Sequence, residues 1–512
     1  MDRAQRLVSN IAYNFLSQAW LAALNLVTLP YIVRQLGVDA YGVLVMVTVV
    51  VGYLAFLDLG LGSAVQKYVA EYYAKRDFKA LEATIGTATV VYVVVGLLGA
   101  LGMAGFAGLL VDRLLRVPAE LQEVTRVAFY IGSIGVLASM PLSVFAAVPL
   151  ALQRFDLAGK RNLLIGTVNT LLTVALLAMG YGLREIVLVN VLLNVVSVLV
   201  FVIVTRQLLP EISLLPRFRM ESAKSLYSFA LFKFVGQLSG MAVFQLDRLL
   251  VGLFLPIGWV SYYAVPLTFS QKIMTAVGNI SGPLFPAATE LHSLGLTPSL
   301  QRLYIRAMKV IAAIAIPTSV VLIVFADKIL LFWAGPDFAD KSSLTLRLLA
   351  GAFLLIAFTP VPALVADGVG RPRINAVASS LSAVLNVILC LALIPTIGID
   401  GAALALLVNQ VIVVPFFLLY VNKNVVRLPV KDFLGGAFLR PFLLGALLAL
   451  LLMLAHDFAS NVLILVIELM TGGCVYLIGC FALNVIDRRD HDAIQDWLAR
   501  SYRGSWNPFR MR

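Results

Sequence analysis

Charged side chains lie within a long apolar stretch near the middle of the chain. The segment 228–260 is long enough to cross a bilayer, yet it contains Lys233, Asp247 and Arg248. A charge at the centre of a bilayer costs about 2.5–3.5 kcal/mol on insertion scales, so such residues usually serve a function. Lys233 and Gln237 share one helical face with Asp247. The pattern predicts a helix that lines a water-filled cavity.

A simpler interpretation of the same charges remains open. Arg248 lies a few residues before the next connection, where a long side chain can extend to the headgroup region while its stem stays in apolar surroundings. Lys233 is about nine residues into the span and is less suited to this, because it lies near the middle of the roughly twenty residues that cross a bilayer. Only the cavity interpretation gives these charges a role in binding.

Two further spans carry polar side chains along one helical face. Their members are Asn14, Gln18, Asn25, Lys272, Thr275 and Asn279. We expect Lys272 and Lys233 to lie at a similar depth, where two ammonium groups repel unless an anion lies between them. Amides and hydroxyls also hold membrane helices together, and this is the preferred interpretation of a similar stripe over 375–386. For the first and eighth spans we predict substrate binding.

Asp58, in the segment YLAFLDLGLGS, is the best acidic candidate in the first lobe for balancing these cations. No catalytic residue, metal site or cofactor is predicted, because the three cysteines form no CxxC pair and no glycine-rich phosphate loop occurs. His456 and Asp457 are expected in a short, solvated outer connection.

Composition indicates an all-α, polytopic membrane protein. Of the 512 residues 61% are hydrophobic and 13% are charged, and hydropathy predicts about fourteen spans. Basic residues, among them Arg76, Arg161 and Arg217, concentrate in alternate connections. This bias predicts that both termini are cytoplasmic. We attribute the net charge of +12 to that orientation and to anionic lipid, and not to nucleic-acid binding.

An internal repeat predicts the domain organisation. The segments beginning at Ala158 and Gly368 each have a basic turn, an asparagine and an apolar span, with an offset of roughly 210 residues. Parallel repeats of six helices about a central cavity are typical of rocking, alternating-access transporters. The predicted parts are two six-helix lobes, two appended helices and a basic cytoplasmic tail, over 1–208, 221–421, 437–484 and 485–512. We expect short connections between spans, including a cytoplasmic one at 67–81 and an outer one at 327–343.

The segment LPYIVRQLGVDAYGVLVMVTVVVGYLAFLDLGLGSAVQKYVAEYYAKRD, residues 29–77, resembles the opening helices of a known family. This is the polysaccharide transporter branch, the O-antigen and capsule flippases, of the multidrug/oligosaccharidyl-lipid/polysaccharide superfamily. The resemblance implies movement of undecaprenyl-diphosphate-linked oligosaccharide from the inner to the outer leaflet of the bacterial cytoplasmic (inner) membrane through a cationic cavity. It assigns the headgroup to Lys233, Arg248 and Lys272. It implies Asp58 and Asp247 as their electrostatic partners or as ion-coupling residues. It also implies membrane lipids, a polymerase and other polysaccharide-assembly proteins as partners.

Two alternatives follow from the same features. A cation-coupled multidrug exporter of the same fold is one, although acidic groups would then be expected to prevail in the cavity. A polymerase or glycosyltransferase of the same pathway is the other, but such enzymes usually carry a large outer loop, and the connection at 327–343 is too short for one. We therefore expect a transporter and not an enzyme.

Overall fold

The computed structural model describes residues 3–55, 58, 60–227, 245–281, 284–483 and 485. Within these residues the regular secondary structure is helical, apart from one isolated bridge between Arg116 and Pro256. Nine of the described helices are long and apolar enough to cross a membrane, or ten if the bent pair spanning 20–54 counts as one. The predicted all-α, polytopic membrane fold is confirmed, while the count of fourteen spans stays a prediction.

The chain divides into two compact units, with the boundary between Ser261 and Tyr262. The first unit, Ser9–Ser261, is built mainly from eight described helices, of which the first begins a few residues earlier. These are α1 (Arg3–Leu36), α2 (Val38–Ala55), α3 (Leu61–Lys75), α4 (Phe78–Leu109), α5 (Ala119–Ala151), α6 (Phe155–Ala178), α7 (Leu183–Leu208) and α8 (Leu246–Phe254).

Gly37 forms the sharp corner between α1 and α2. Its φ of 79° is in the left-handed region, which glycine adopts without steric cost. The direction of the chain changes by 119° between the two helices. The corner corresponds to the Leu-Gly turn noted in the sequence.

The predicted connection at 67–81 is mostly helical, and its cytoplasmic location stays a prediction. Helix α3 runs to Lys75, and α4 begins at Phe78 after Asp77, whose side chain accepts a hydrogen bond from the Ala80 amide at 3.0 Å. The apolar face of α3, including Val65 and Val69, is fully buried in a core formed with α4 and α5. Burial of this apolar face stabilises the helix. In the sequence, the charged residues on its other face had indicated a loop.

The second unit consists of Met1–Val8 and Tyr262–Arg512. Helix α9 (Gly258–Ser281) begins just before the boundary. It is followed by α10 (Leu284–Ser293), α11 (Thr297–Val324), α12 (Ala326–Ala334), α13 (Pro336–Ala357), α14 (Pro360–Gly368), α15 (Arg373–Val421), α16 (Val430–Phe433), α17 (Arg440–Ala455) and α18 (Val462–Ala482). The predicted outer connection at 327–343 is mostly helical, since it forms α12 and the start of α13.

Helix α15 contains a sharp kink at Ile397 and Gly398, where the backbone leaves the helical region. Beside the kink, Thr345 of α13 donates a hydrogen bond of 2.6 Å to Asp400 Oδ1. The kink therefore divides α15 into two helical segments, while the two separate spans that hydropathy indicates here stay a prediction.

The last two long helices, α17 and α18, pack on α11 through glycines and apolar side chains. A Cβ atom at Gly445 would lie 2.3 Å from Ile316 Cγ2, and one at Gly479 would lie 2.6 Å from Leu444 Cδ2. The glycines therefore permit approach distances that any larger residue would prevent. The predicted lobe boundaries, with this pair as an appendage, stay predictions.

Candidate functional site: a polar groove in the first unit

Helices α1, α6 and α7 enclose a polar groove of about 420 Å³. This volume is in the range of small-ligand sites. The lining residues are Ser17, Gln18, Leu21, Arg161, Asn162, Ile165, Gly166, Asn169, Asn190, Leu193 and Asn194. Most of these side chains are polar, one is cationic and none is acidic. Such a lining is unusual between membrane-spanning helices, because buried amides and charges are costly in an apolar environment.

Gly166 brings α6 against α1 at the centre of the groove. A Cβ atom at this position would lie 2.7 Å from Leu21 Cδ2, so a larger residue would require the Leu21 side chain to move. At the next residue of each helix, Trp20 Nε1 donates a hydrogen bond of 3.0 Å to Thr167 Oγ1. The close approach places Gln18 of α1 beside the amides of α6.

The amides of α6 and α7 recur at helical spacing and so face the same side. Asn162 and Asn169 are seven residues apart on α6, and Asn190 and Asn194 are four apart on α7. Asn190 donates to the Ile186 carbonyl at 3.0 Å, and Asn194 to the Asn190 carbonyl at 3.1 Å. Each amide nitrogen carries two protons, so one proton and the side-chain oxygen stay available to a ligand.

Arg161 is the cation of the groove, and two side chains orient it. Its Nε donates to Ser197 Oγ at 3.3 Å, and one terminal nitrogen donates to Asn162 Oδ1 at 2.9 Å. Ser197 is fully buried, and the ring of Phe201 lies 6.0 Å from the centre of the guanidinium group. Within the described chain, Arg161 makes no ion pair. A half-buried positive charge is therefore held in a fixed position without a counter-ion.

Asn169 supplies an acceptor with no partner. Its Oδ1 is buried and makes no hydrogen bond in the structure. Buried polar atoms are nearly always paired, and leaving one unpaired costs about 1–3 kcal/mol. Because this oxygen has almost no exposed surface, a donor could reach it only if neighbouring side chains moved.

The structure places some of the predicted binding residues in this groove and others elsewhere. Gln18 lines it. Asn25 is exposed and donates a hydrogen bond to the Leu21 carbonyl of its own helix. The hydroxyl of Thr275 donates to the Gln271 carbonyl, also within its own helix. Lys272 is partly buried on α9, in the second unit. Lys233 and Gln237 lie outside the described residues, as do the side chains of Asn14 and Asn279.

Asp247 and Arg248 begin α8, which packs on α2. Asp247 is only 2% exposed, and its Oδ1 accepts a hydrogen bond of 2.8 Å from the backbone amide of Arg248. The buried carboxylate and the neighbouring arginine therefore lie in the first unit, at the α2–α8 contact.

Asp58 lies at the break between α2 and α3. Its carboxylate accepts hydrogen bonds from the hydroxyl of Tyr92 on α4 and from the Gly62 amide in the first turn of α3, the latter at 3.0 Å. Tyr92 is fully buried. Asp58 thus connects the start of α3 to α4.

Arg161 and the amides of α6 and α7 were missed as binding residues in the sequence. Arg161 resembled other basic residues of a cytoplasmic connection, but helix α6 already begins at Phe155 and includes it. The recurrence of Asn190, Asn194 and Ser197 at i, i+4 and i+7 is the signal that could have found α7. The same test had identified the stripe that contains Gln18.

Comparison with known proteins decides the family. The family model described as "Polysaccharide biosynthesis protein" matches residues 31–343, more than half of the chain. The chain belongs to this family. A second model, MatE, matches residues 297–392. The chain is thus a polysaccharide transporter of the multidrug/oligosaccharidyl-lipid/polysaccharide superfamily, as the opening helices suggested.

Relatives and solved structures agree with this assignment. The chain is 24% identical to the uncharacterized membrane protein EpsK of Bacillus subtilis strain 168 over 77% of this chain and 79% of that protein. It is 26% identical to the probable low-salt glycan biosynthesis flippase Agl15 of Haloferax volcanii, over 36% of this chain and 39% of that protein. The lipid II flippase MurJ, in an inward closed conformation, has the same fold. Its TM-score is 0.69 at 15% identity, over 91% of this chain and 97% of MurJ.

Proposed function

We propose that this transporter moves lipid-linked oligosaccharide, with undecaprenyl diphosphate as the carrier, from the inner to the outer leaflet of the bacterial cytoplasmic membrane. The product would serve the assembly of O-antigen, capsule or exopolysaccharide. The observation that carries the proposal is the groove of α1, α6 and α7, whose amides and single arginine suit sugar hydroxyls and anionic groups. Membership of the polysaccharide biosynthesis family supports it.

The physical problem of the proposed reaction matches the groove. A sugar headgroup cannot enter hydrocarbon without losing hydrogen bonds to water, which costs several kcal/mol for each unpaired group. Amides that line a groove replace those bonds during passage. A volume of about 420 Å³ accommodates part of an oligosaccharide, while the lipid chain remains in the bilayer.

Alternating access would expose such a site to each leaflet in turn. In the proposed orientation both termini are cytoplasmic and the headgroup moves outwards. Outward movement of negative charge is favoured by an inside-negative potential, by about 2.3 kcal/mol per charge per 100 mV. Membrane lipids surround the protein, and a polymerase on the outer side would consume the product.

A translocation assay tests the proposal. Protein is reconstituted in liposomes that contain a fluorescent undecaprenyl-diphosphate oligosaccharide, and a membrane-impermeant reagent reports the headgroups on each side. We expect protein-dependent translocation that falls about tenfold or more when Asn190 and Asn194 are both replaced by Ala. Gln207→Ala is the control, because it removes an exposed amide near the end of α7, outside the groove. Absence of translocation by the intact protein would reject the proposal.

Export of cationic drugs is the second candidate, because the MatE model matches 297–392. A drug cation requires carboxylates or aromatic rings to balance its charge. The groove instead contains Arg161 and no acid. Efflux of a cationic dye from loaded liposomes, unaffected by a lipid-linked oligosaccharide, would favour this candidate over the first.

A further inference from the structure

We propose that the groove of α1, α6 and α7 selects a singly charged acidic sugar, with Arg161 binding the sugar carboxylate and the amides binding its hydroxyls. This inference rests on the proposed function and names the class of glycan that the same site takes. The orientation of the guanidinium group, the net charge of the lining and the arrangement of its polar atoms support it.

The guanidinium group of Arg161 is oriented for an anion. Bonds to Ser197 and Asn162 use its Nε–H and one terminal N–H, and Phe201 lies beside the group. Arginine has five N–H donors in a planar fork, so three remain for a ligand. Such a fork matches the two oxygens of a carboxylate. The fixed neighbours reduce the conformational entropy that the side chain loses on binding.

The charge of the lining matches one negative charge. Arg161 is the only ionisable residue among the described side chains that line the groove, and it is half-buried. A partly desolvated cation without a counter-ion is destabilising, and a bound anion offsets that cost. One carboxylate balances one guanidinium group, whereas a diphosphate would leave about one charge uncompensated by the described lining, in which Arg161 is the single cation.

The polar atoms of the groove change in character along its length. Arg161 and Asn169 are eight residues apart, so they lie about 12 Å from each other along α6. Beyond Arg161 the side chains that point into the groove are mainly uncharged amides, including Asn190 and Asn194 of α7. Asn169, at the far end from Arg161, adds a further uncharged amide to the lining. A carboxylate at one end and hydroxyls at the other is the pattern of a uronic acid joined to a neutral sugar.

Equilibrium binding to the purified full-length protein tests the inference. The probes are cellobiouronic acid, in which glucuronic acid is linked to glucose, and cellobiose, which differs from it in having a hydroxymethyl group in place of the carboxylate. Inorganic pyrophosphate is the third probe. We expect calorimetric titration to give at least tenfold tighter binding for the acidic disaccharide than for cellobiose, and weaker binding of pyrophosphate than of the acidic disaccharide.

Four variants localise the selectivity. Arg161→Gln should abolish the preference for the acidic disaccharide, while Arg161→Lys should retain part of it because the charge remains without the planar fork. Ser197→Ala tests a positioning residue, and we expect it to reduce the preference without changing the affinity for cellobiose. Arg184→Gln is the control, because it removes the same charge from an exposed site outside the groove. It should leave all three affinities unchanged.

Three results would overturn the inference. They are equal affinities for the two disaccharides in the intact protein, tighter binding of pyrophosphate than of the acidic disaccharide, and an undiminished preference in folded Arg161→Gln. The first two comparisons use only the intact protein and therefore do not depend on the folding of a variant. Binding is measured without transport, so a failure of the translocation assay with selective binding intact would reject the proposed function alone.

Discussion

The imidazole Nε2 of His456 lies 3.1 Å from Asp327 Oδ2. Arg347 donates to the same carboxylate at 3.2 Å, and the imidazole ring stacks on Phe325, with 5.6 Å between the ring centres. His456 follows α17, and Asp327 is in α12. The residue expected in a solvated connection therefore joins the last pair of helices to the rest of the second unit.

This contact predicts a pH dependence of stability. Burial acts to raise the pKa of Asp327, but the hydrogen bond from His456 and the charges of His456 and Arg347 outweigh it and hold the pKa below its ordinary value of 3.8. The stabilisation is therefore fully present above that value and is lost as the pH falls through the lower, folded-state pKa. We expect His456→Ala to lower the thermal stability at neutral pH, by at most about 1 kcal/mol for so exposed a pair.

Thermal unfolding in detergent across the acid range measures this effect. The loss of stability on acidification should be smaller in His456→Ala than in the intact protein. Asp457→Asn is the matched control, because Asp457 also contacts His456 but its side chain is fully exposed. An identical acid dependence in the intact protein and in His456→Ala would contradict the assignment.

The contact between Asp58 and Tyr92 predicts a difference between two substitutions. Asp58→Ala leaves the buried phenol hydroxyl without its acceptor, which should cost about 1–3 kcal/mol of stability. Asp58→Asn keeps an acceptor oxygen and should cost less. Unfolding midpoints of both variants and of Tyr92→Phe measure the difference. Equal losses in Ala and Asn variants would show that the hydrogen bond contributes little.

The same residue tests ion coupling, for which Asp58 is our candidate. If a proton is exchanged at Asp58 during transport, Asp58→Asn should remove the pH dependence of translocation while the protein stays folded. The comparison is made in liposomes at matched membrane potential. Translocation by the Asn variant with the pH dependence of the intact protein would exclude Asp58 as the coupling site.

The contact of Gly42 in α2 with the residue before α9 predicts a destabilising substitution. A Cβ atom at Gly42 would lie 2.3 Å from the carbonyl oxygen of Ile257, and backbone cannot move aside as a side chain can. We expect Gly42→Ala to cost about 1–3 kcal/mol, as overpacking does. Gly102→Ala is the control, because it also lies within a helix but has no atom within 4 Å of the added methyl group. Similar unfolding midpoints for the two variants would contradict the close approach.

Lys233 stays a predicted binding residue on the strength of the sequence. We expect Lys233→Gln to insert normally and to lose glycan translocation, because a cation in the middle of a span is costly unless it binds an anion. Membrane abundance and headgroup accessibility measure the two properties separately. Full translocation by the variant would remove Lys233 from the predicted site.

Helix-to-helix bonding in the second unit followed from residue types alone. The stripe over 375–386 was interpreted as contacts between helices, and Asn409 does donate to Ser382 at 2.9 Å. Asn375 likewise donates to Asp367 of α14 at 2.8 Å. Such bonds are predictable because amides in an apolar segment must find partners wherever the neighbouring span offers them.

The sequence by itself determined the all-α membrane fold, the family and the presence of polar stripes within spans. Hydropathy and helical period are local properties, so they can be read along one segment at a time. Only the tertiary structure decided which stripes share a groove. Gln18, Arg161 and Asn190 come together because Leu21 of α1 contacts Gly166 of α6 and because Arg161 bonds to Ser197 of α7. Contacts between helices so distant in the chain depend on side-chain shape at each interface, and helical period does not encode that shape.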